Sequence, residues 1–310
     1  MNLAALGGQE LHRRLAVGDL VIRSGPFRYR LHSRLPQIGA GIALLYADYP
    51  VETPDEFADF ALKMEGGAGL HRWWRRQVRF SSDGFYPFEP LPQDHAYPQL
   101  EWAMNWCVST RAHHYLMLHA AVVERGGLAV VLPAPPGSGK STLCAGLVHR
   151  GWRLLSDEVA LISLQDGLIS PAVRPISLKN ESIDLMRAYV PGAVMTAVTH
   201  GTSKGSVTHL KVPAEHVARM DERAAPRWVI FPKFVAGAPA QLRQRPRARS
   251  LLDLGANAFN YMLLGADGFD ALGRLTAACD CFEFSYSRLD DAVAVFDALA
   301  VDAGAGGGRG

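Results

Sequence analysis

The chain has 310 residues, 48% of them apolar and 20% charged, with a formal net charge of +2. This is the composition of a globular protein with room for two cores. The near-balanced charge excludes the broad basic surface of a nucleic-acid binder, and no apolar run reaches the roughly 18 residues a membrane span needs.

The amino terminus, "MNLAALGGQELHRRL", lacks the long apolar core of a signal peptide, so a cytoplasmic protein is expected. Residues 18–50 read as short strands, with "DLVIRSGPFRYRLHS" alternating around a Gly25-Pro26 turn as a hairpin does. "RWWRRQVRFSSDGFYPFEP" repeats the pattern with Asp83-Gly84 as its turn. Its first six residues, Arg72–Gln77, are a candidate peptide or interface patch, with packing against the following helix as the alternative. After Asp94 the spacing of Leu100, Met104, Cys107 and Val108 predicts a helix that links a β-rich amino-terminal domain, residues 1–110, to the remainder.

"YLMLHAAVVE", Gly126-Gly127 and "LAVVLPA" predict strand, tight turn and strand; a helix "STLCAGLVHR" and a strand "WRLLSDEVALIS" follow. Beyond Lys179, "NESIDLMRAY", "RSLLDLGANAFNYML" and "LDDAVAVFDALA" read as helices, "SVTHLKV" and "RWVIFPKFV" as strands. Residues 111–302 form the expected second domain, and the glycine-rich 303–310 a disordered tail. The four cysteines, Cys107, Cys144, Cys279 and Cys281, include no second pair to complete a zinc site and read as buried small hydrophobes. Two arginine clusters, one at 72–79 and one at 243–249, read as solvated faces, with phosphate binding as the alternative.

"APPGSGKST", Ala134–Thr142, carries the chemistry. It matches the phosphate-loop (Walker A) pattern except that Ala134 replaces the first glycine. Pro135, Pro136, Gly137, Ser138, Gly139, Lys140, Ser141 and Thr142 are the expected nucleotide contacts. The glycines let backbone N–H groups approach phosphate oxygens, Lys140 supplies a cation, Ser141 a hydroxyl for Mg²⁺, and the new helix aims its positive end at the anion. One helix later an apolar strand ends in Asp157 and Glu158. Adjacent strand residues face opposite ways. That predicts a division of labour, with one carboxylate a base toward a hydroxyl and the other near Mg²⁺. His119, one strand before the loop, is the third element, and a hairpin would bring it toward Asp157.

This order of elements, "LHAAVVERGGLAVVLPAPPGSGKSTLCAGLVHRGWRLLSDE", resembles the HPr kinase/phosphorylase family, bacterial serine kinases with a phosphoenolpyruvate-carboxykinase-like catalytic domain. "RPISLKNES" and "ANAFNY" look more narrowly like the HPr-kinase-related kinase A group, found beside genes for modified peptides. The resemblance implies an α/β P-loop kinase domain, ATP and Mg²⁺ as cofactors, Asp157 as catalytic base paired with His119, Lys140 and Ser141 on phosphate and metal, and Glu158 in the place of a second aspartate. The family assembles into hexamers, which puts a homo-oligomer among the expected states. Two departures stand out. The family's Glu-x-Arg-Gly signature is absent, with Ala172 near the place of its glutamate and Arg174 matching its arginine, and residues 1–110 do not resemble the family's amino-terminal domain. Neither the reverse phosphorylase reaction nor HPr as target therefore carries over.

The expected activity is transfer of the ATP γ-phosphate to a serine or threonine hydroxyl of a peptide or protein, with Arg174, Lys179 and Lys204 as candidate further positive contacts. The alternatives are a small-molecule kinase and an ATP-sensing module without turnover.

Overall fold

The computed structural model describes residues 1–67, 69, 74–135 and 137–306. By internal contacts the chain divides into two compact units, Met1–Val108 with Arg174–Arg219, and Ser109–Val173 with Met220–Gly310. Each is a mixed α/β structure, the first with two sheets and the second with one.

The first unit opens with α1 (Gly8–Val17) and the hairpin β1 (Leu20–Ser24) and β2 (Phe27–Ser33). In β2, Phe27, Tyr29, Leu31 and Ser33 are buried and the residues between them are not, which is the alternation the sequence shows. The expectation of strands through residue 50 fails at α2 (Pro36–Leu45), where Pro36 occupies the first turn and Ile38, Ile42 and Leu45 recur at helical spacing on the inner face. The small residues in "IGAGIALL" are packing devices: a Cβ at Gly41 would stand 2.0 Å from the Tyr97 ring. β3 (Phe60–Gly66), β4 (Gln77–Ser81) and β5 (Leu91–Pro92) complete a five-stranded sheet in order β1-β2-β3-β4-β5, with β2 and β3 parallel. Trp73 and Arg72 of the proposed aromatic patch lie outside the described residues, and Trp74 is exposed. The predicted helix is α3 (Ala96–Arg111), inside which the first unit ends.

The second unit begins with β6 (Tyr115–Arg125) and β7 (Leu128–Pro133), the predicted hairpin, then α4 (Lys140–Val148), β8 (Arg153–Ser156), β9 (Val159–Ser163) and β10 (Ile169–Ser170). The chain then returns to the first unit for β11 (Ile176–Lys179), α5 (Glu181–Tyr189), β12 (Thr199–Thr202), β13 (Gly205–Leu210) and α6 (Ala214–Ala218), with β11-β13-β12 as a three-stranded antiparallel sheet. Residues 174–219 thus differ from the expected boundary, and buried polar groups give the reason. Tyr46 and Tyr97 donate from their hydroxyls to the Glu101 carboxylate at 2.9 and 2.8 Å, and Arg174 pairs with that carboxylate at 3.5 Å and bonds Asn105. Lys211 pairs with Asp48 at 2.8 Å. A buried carboxylate needs such partners, so the returning segment is held to α3 and to the turn after α2.

The rest of the second unit is β14 (Ala225–Phe234), β15 (Gln241–Gln244), α7 (Arg247–Ala256), α8 (Tyr261–Leu264), α9 (Ala266–Ala278), β16 (Asp280–Tyr286) and α10 (Leu289–Gly306). Its sheet runs β10-β9-β6-β7-β14-β16-β15, with β8 also on β6. β7, β14 and β16 are parallel. β6 is antiparallel to both β7 and β8, so those two end at the same edge. The core cluster includes Leu118, Ala120, Val131, Leu155, Ile162, Val229 and Leu272. Cys279 and Cys281 are buried as expected, with burial pushing the Cys279 thiol up to about 12. Two sequence expectations change here. Helix α10 continues through Gly306, into the stretch read as a tail, and the last four residues lie outside the described ones. The single helix expected over "RSLLDLGANAFNYML" is broken at Asn257–Asn260. No helix among the described residues is long and apolar enough to cross a membrane.

Candidate functional site

β7 runs into the loop at Pro133, and α4 opens at Lys140 behind Gly139, which adopts φ 88° and caps the helix without a side chain. The loop is pinned by its own carbonyls. The Phe234 N–H donates to Ser138 O at 2.9 Å and the Tyr286 hydroxyl donates to Gly139 O at 3.0 Å. A Cβ at Gly139 would stand 2.6 Å from that hydroxyl. Gly139→Ala therefore meets both a left-handed backbone and a buried tyrosine. The expected result is a loss of at least about 1–2 kcal/mol of stability with weakened nucleotide binding, read by thermal unfolding and by titration calorimetry.

Asp157 and Glu158 sit where a strand is interrupted. β8 and β9 pair with the same strand, Ser156 against Val122 and Val159 against His119, so the two acids stand across from Ala121 and Ala120. The Ser156 hydroxyl accepts from the N–H of Val159 at 3.0 Å and of Glu158 at 3.3 Å, turning the backbone at that point. The bend separates the acids: Asp157 is 4% exposed, while Glu158 is half-buried and its carbonyl accepts from Ala120 N–H at 3.2 Å. Lys140 reaches across from the first turn of α4, its ammonium donating to the Asp157 carbonyl at 2.7 Å. Cys144, one turn further along α4, is buried and feels both charges. Burial and then the Asp157 carboxylate push its thiol well up, and Lys140 pulls it back.

His119 stands at the same edge. Its neighbour Ala120 pairs with Pro133, the last residue before the loop, and the ring lies 5.9 Å from that of Phe259. Where β7 leaves the sheet to form the loop, Asn257–Asn260 takes its place beside β6. The His119 N–H donates to Asn257 O at 2.8 Å, Phe259 N–H donates to Met117 O at 2.9 Å, and the Asn260 amide bridges Met117 N–H and Tyr115 O. This is why the predicted helix breaks, and Asn257, Asn260, Ser156 and Tyr286 are the site residues that sequence reasoning missed. The signal was present in "ANAFNY", since asparagines are backbone-bonding residues at breaks in regular structure.

A cavity of about 930 Å³ opens on the other side of the loop, with Gly137, Ser138, Phe231, Phe234 and Val235 among its walls. Arg243 and Arg245 of the second basic cluster also line it, Arg245 buried, paired with Asp253 and lying 4.0 Å over the Phe231 ring. That cluster is therefore only in part the solvated face expected.

The structure thus brings together Pro135, Gly137, Ser138, Gly139, Lys140, Ser141, Thr142, His119, Asp157 and Glu158 at one edge of the second unit, while Pro136 lies outside the described residues. Arg174, Lys179 and Lys204 belong to the first unit. There Arg174 is committed to Glu101 and Asn105, and Lys204 lies 5.2 Å over the Trp102 ring. Ala172 is buried, its N–H donating to Leu155 O at 2.8 Å.

The family model for the SynChlorMet cassette protein ScmC matches residues 92–170, well under half of the chain but spanning His119, the loop and both acids. No curated protein matches. Among solved structures, the Hpr(Ser) kinase/phosphatase from Coxiella burnetii is similar at 12% identity, covering 60% of this chain and 98% of its own, with a TM-score of 0.27. A TM-score that low gives no ground for transferring architecture or chemistry, so function is argued from the residues themselves.

Proposed function

We propose that the second unit is a phosphotransferase that moves the γ-phosphate of ATP to a serine or threonine hydroxyl of a peptide or protein. The observation that supports this most is the bond from Lys140 to the backbone of Asp157, which holds a buried carboxylate beside a phosphate-loop lysine. The loop suits a polyphosphate. Ser138 Oγ is buried without a hydrogen-bond partner, the first turn of α4 has no side-chain cap, and Gly137, where a Cβ would meet nothing within 4 Å, leaves room for close approach. No cluster of three or more metal-ligating side chains occurs among the described residues, so a metal ion here would depend on the nucleotide's own oxygens, as Mg²⁺ usually does.

Mg²⁺, held by Ser141 and Glu158, would draw negative charge from the transferring group. Lys140 would leave the Asp157 carbonyl for the terminal phosphates. The backbone N–H groups of Gly137–Lys140 would orient the chain of phosphates, and the nucleoside would enter the neighbouring cavity against Phe231 and Phe234. Asp157 would accept the proton of the incoming hydroxyl as the new oxygen–phosphorus bond forms and the bond from the γ-phosphorus to the β,γ-bridging oxygen breaks, ADP leaving, and His119 would hold that carboxylate in place.

The test is incubation of the full chain with γ-labelled ATP, Mg²⁺ and serine-containing peptides, alongside calorimetric nucleotide binding. Wild type is expected to bind ATP and transfer label. Lys140→Met is expected to weaken ATP binding by about tenfold or more, because a buried cation next to the phosphates is replaced by an apolar stem. ATP binding undiminished in Lys140→Met would remove the loop from the account.

A further inference from the structure

Next to His119 the surface changes character. In "AFNYMLLGADGF", Tyr261 and Leu264 pack against the core, while Phe259, Met262, Leu263 and Phe269 turn outward. Met262 is 87% exposed and Leu263 67%. These side chains are not spare pieces of a loose loop. Asn260 fastens the backbone to two residues of β6, and α9 presses on α8 at Gly268, where a Cβ would stand 3.0 Å from Leu264 and from the Tyr261 carbonyl. A rigid, outward-facing apolar shelf adds nothing to folding, and exposed apolar groups of this size mark surfaces that meet another molecule.

Position and charge identify the occupant. The shelf begins at Phe259, whose ring lies against His119, so a chain lying on it passes the edge where Asp157 and the loop meet. The charged residues of α9 are Asp267, Asp270 and Arg274, the Arg274 guanidinium donating to Leu164 O at 2.8 Å, while Asp253 on α7 is paired with Arg245. Asp267 and Asp270 are both exposed on α9, on either side of Phe269. The surface is apolar with an acidic margin, which fits a segment of opposite charge.

We propose that this shelf docks the acceptor chain: a peptide or protein segment with a bulky apolar side chain close to its hydroxyl and lysine or arginine beyond it. The apolar side chain lies on Phe259, Met262 and Leu263, the basic residue faces Asp267 and Asp270, and the hydroxyl is presented toward Asp157. This rests on the phosphotransfer reading and adds the substrate's character to it.

The experiment uses three labelled twelve-residue peptides and fluorescence anisotropy with the full chain. One peptide carries leucine near a serine and two arginines, one has glycine for leucine, and one has glutamates for the arginines. The expected result is binding of the first, weakened about tenfold or more by either peptide change and by the Met262→Arg/Leu263→Arg variant, with ATP binding unaltered in that variant. Equal binding by wild type and variant, a preference for the glutamate peptide, or no binding of the first peptide overturns the proposal. So does sedimentation showing a wild-type dimer that the variant dissociates, which would assign the shelf to a second copy of this chain. Docking without label transfer would leave the shelf standing and remove the kinase reading; label transfer indifferent to residues 262 and 263 would do the reverse.

Discussion

Asp157→Asn is expected to lower phosphoryl transfer by about 10²–10⁴-fold while ATP still binds, because a general base at a developing bond contributes on that scale. The structure makes the substitution a clean one. Asparagine has nearly the same shape, so the buried site at the β8–β9 bend stays filled, and the bond from Lys140 goes to the backbone carbonyl, which the substitution leaves intact. The Ser156 hydroxyl also bonds backbone groups at the bend, and these bonds survive the substitution. Single-turnover transfer of label, measured beside calorimetric ATP binding, separates base from binder. Transfer at the wild-type rate would leave Asp157 without this role, and turnover absent from wild type as well would favour the nucleotide-sensing alternative.

Glu124→Ala is the second large effect, and it falls on stability. Glu124 and Arg153 are both buried and paired at the opposite end of β6 from the site. The carboxylate also accepts the Gly127 N–H at 2.6 Å, and Arg153 donates to Glu222 O at 2.9 Å, so the pair ties the β6–β7 turn, β8 and the approach to β14. Removing one partner leaves a guanidinium in the interior, at a cost of about 3–5 kcal/mol. Urea unfolding should show a clear fall in midpoint, with faster amide exchange in β6 and β8. Replacing both residues together, Glu124→Leu with Arg153→Met, should recover most of the loss, because no charge is then stranded. If the single and double variants were equally unstable, packing and not the charge pair would be what matters.

The hairpin, the loop, α4 and the acids at the end of the next strand were all legible from residue order, because each is local: alternation, a glycine pattern and a helix-length return fix them one after another between Tyr115 and Glu158. Three features were not legible. Residues 36–45 carry both helix and strand signals, and burial of Ile38, Ile42 and Leu45 against the first unit decides between them. The return of Arg174–Arg219 to the first unit depends on partners far apart in sequence, Arg174 with Glu101 and Lys211 with Asp48. The break at Asn257–Asn260 answers a need of the sheet, since β6 requires a partner where β7 departs, and local periodicity carries no record of that need. Arg174 shows the limit of a motif match, for the same arginine that fits a signature is held by Glu101 and Asn105.

Asn257–Asn260 also bears on when in folding the candidate site is complete. The strand bearing His119 has one edge completed by residues about 140 positions further along the chain, and the segment Arg174–Arg219 of the first unit lies between them in sequence. Contacts that close such long loops form late and slowly. Until those distant residues have joined β6, the loop after β7 is flanked by an unpaired strand edge, so the candidate site is completed only when remote parts of the chain meet.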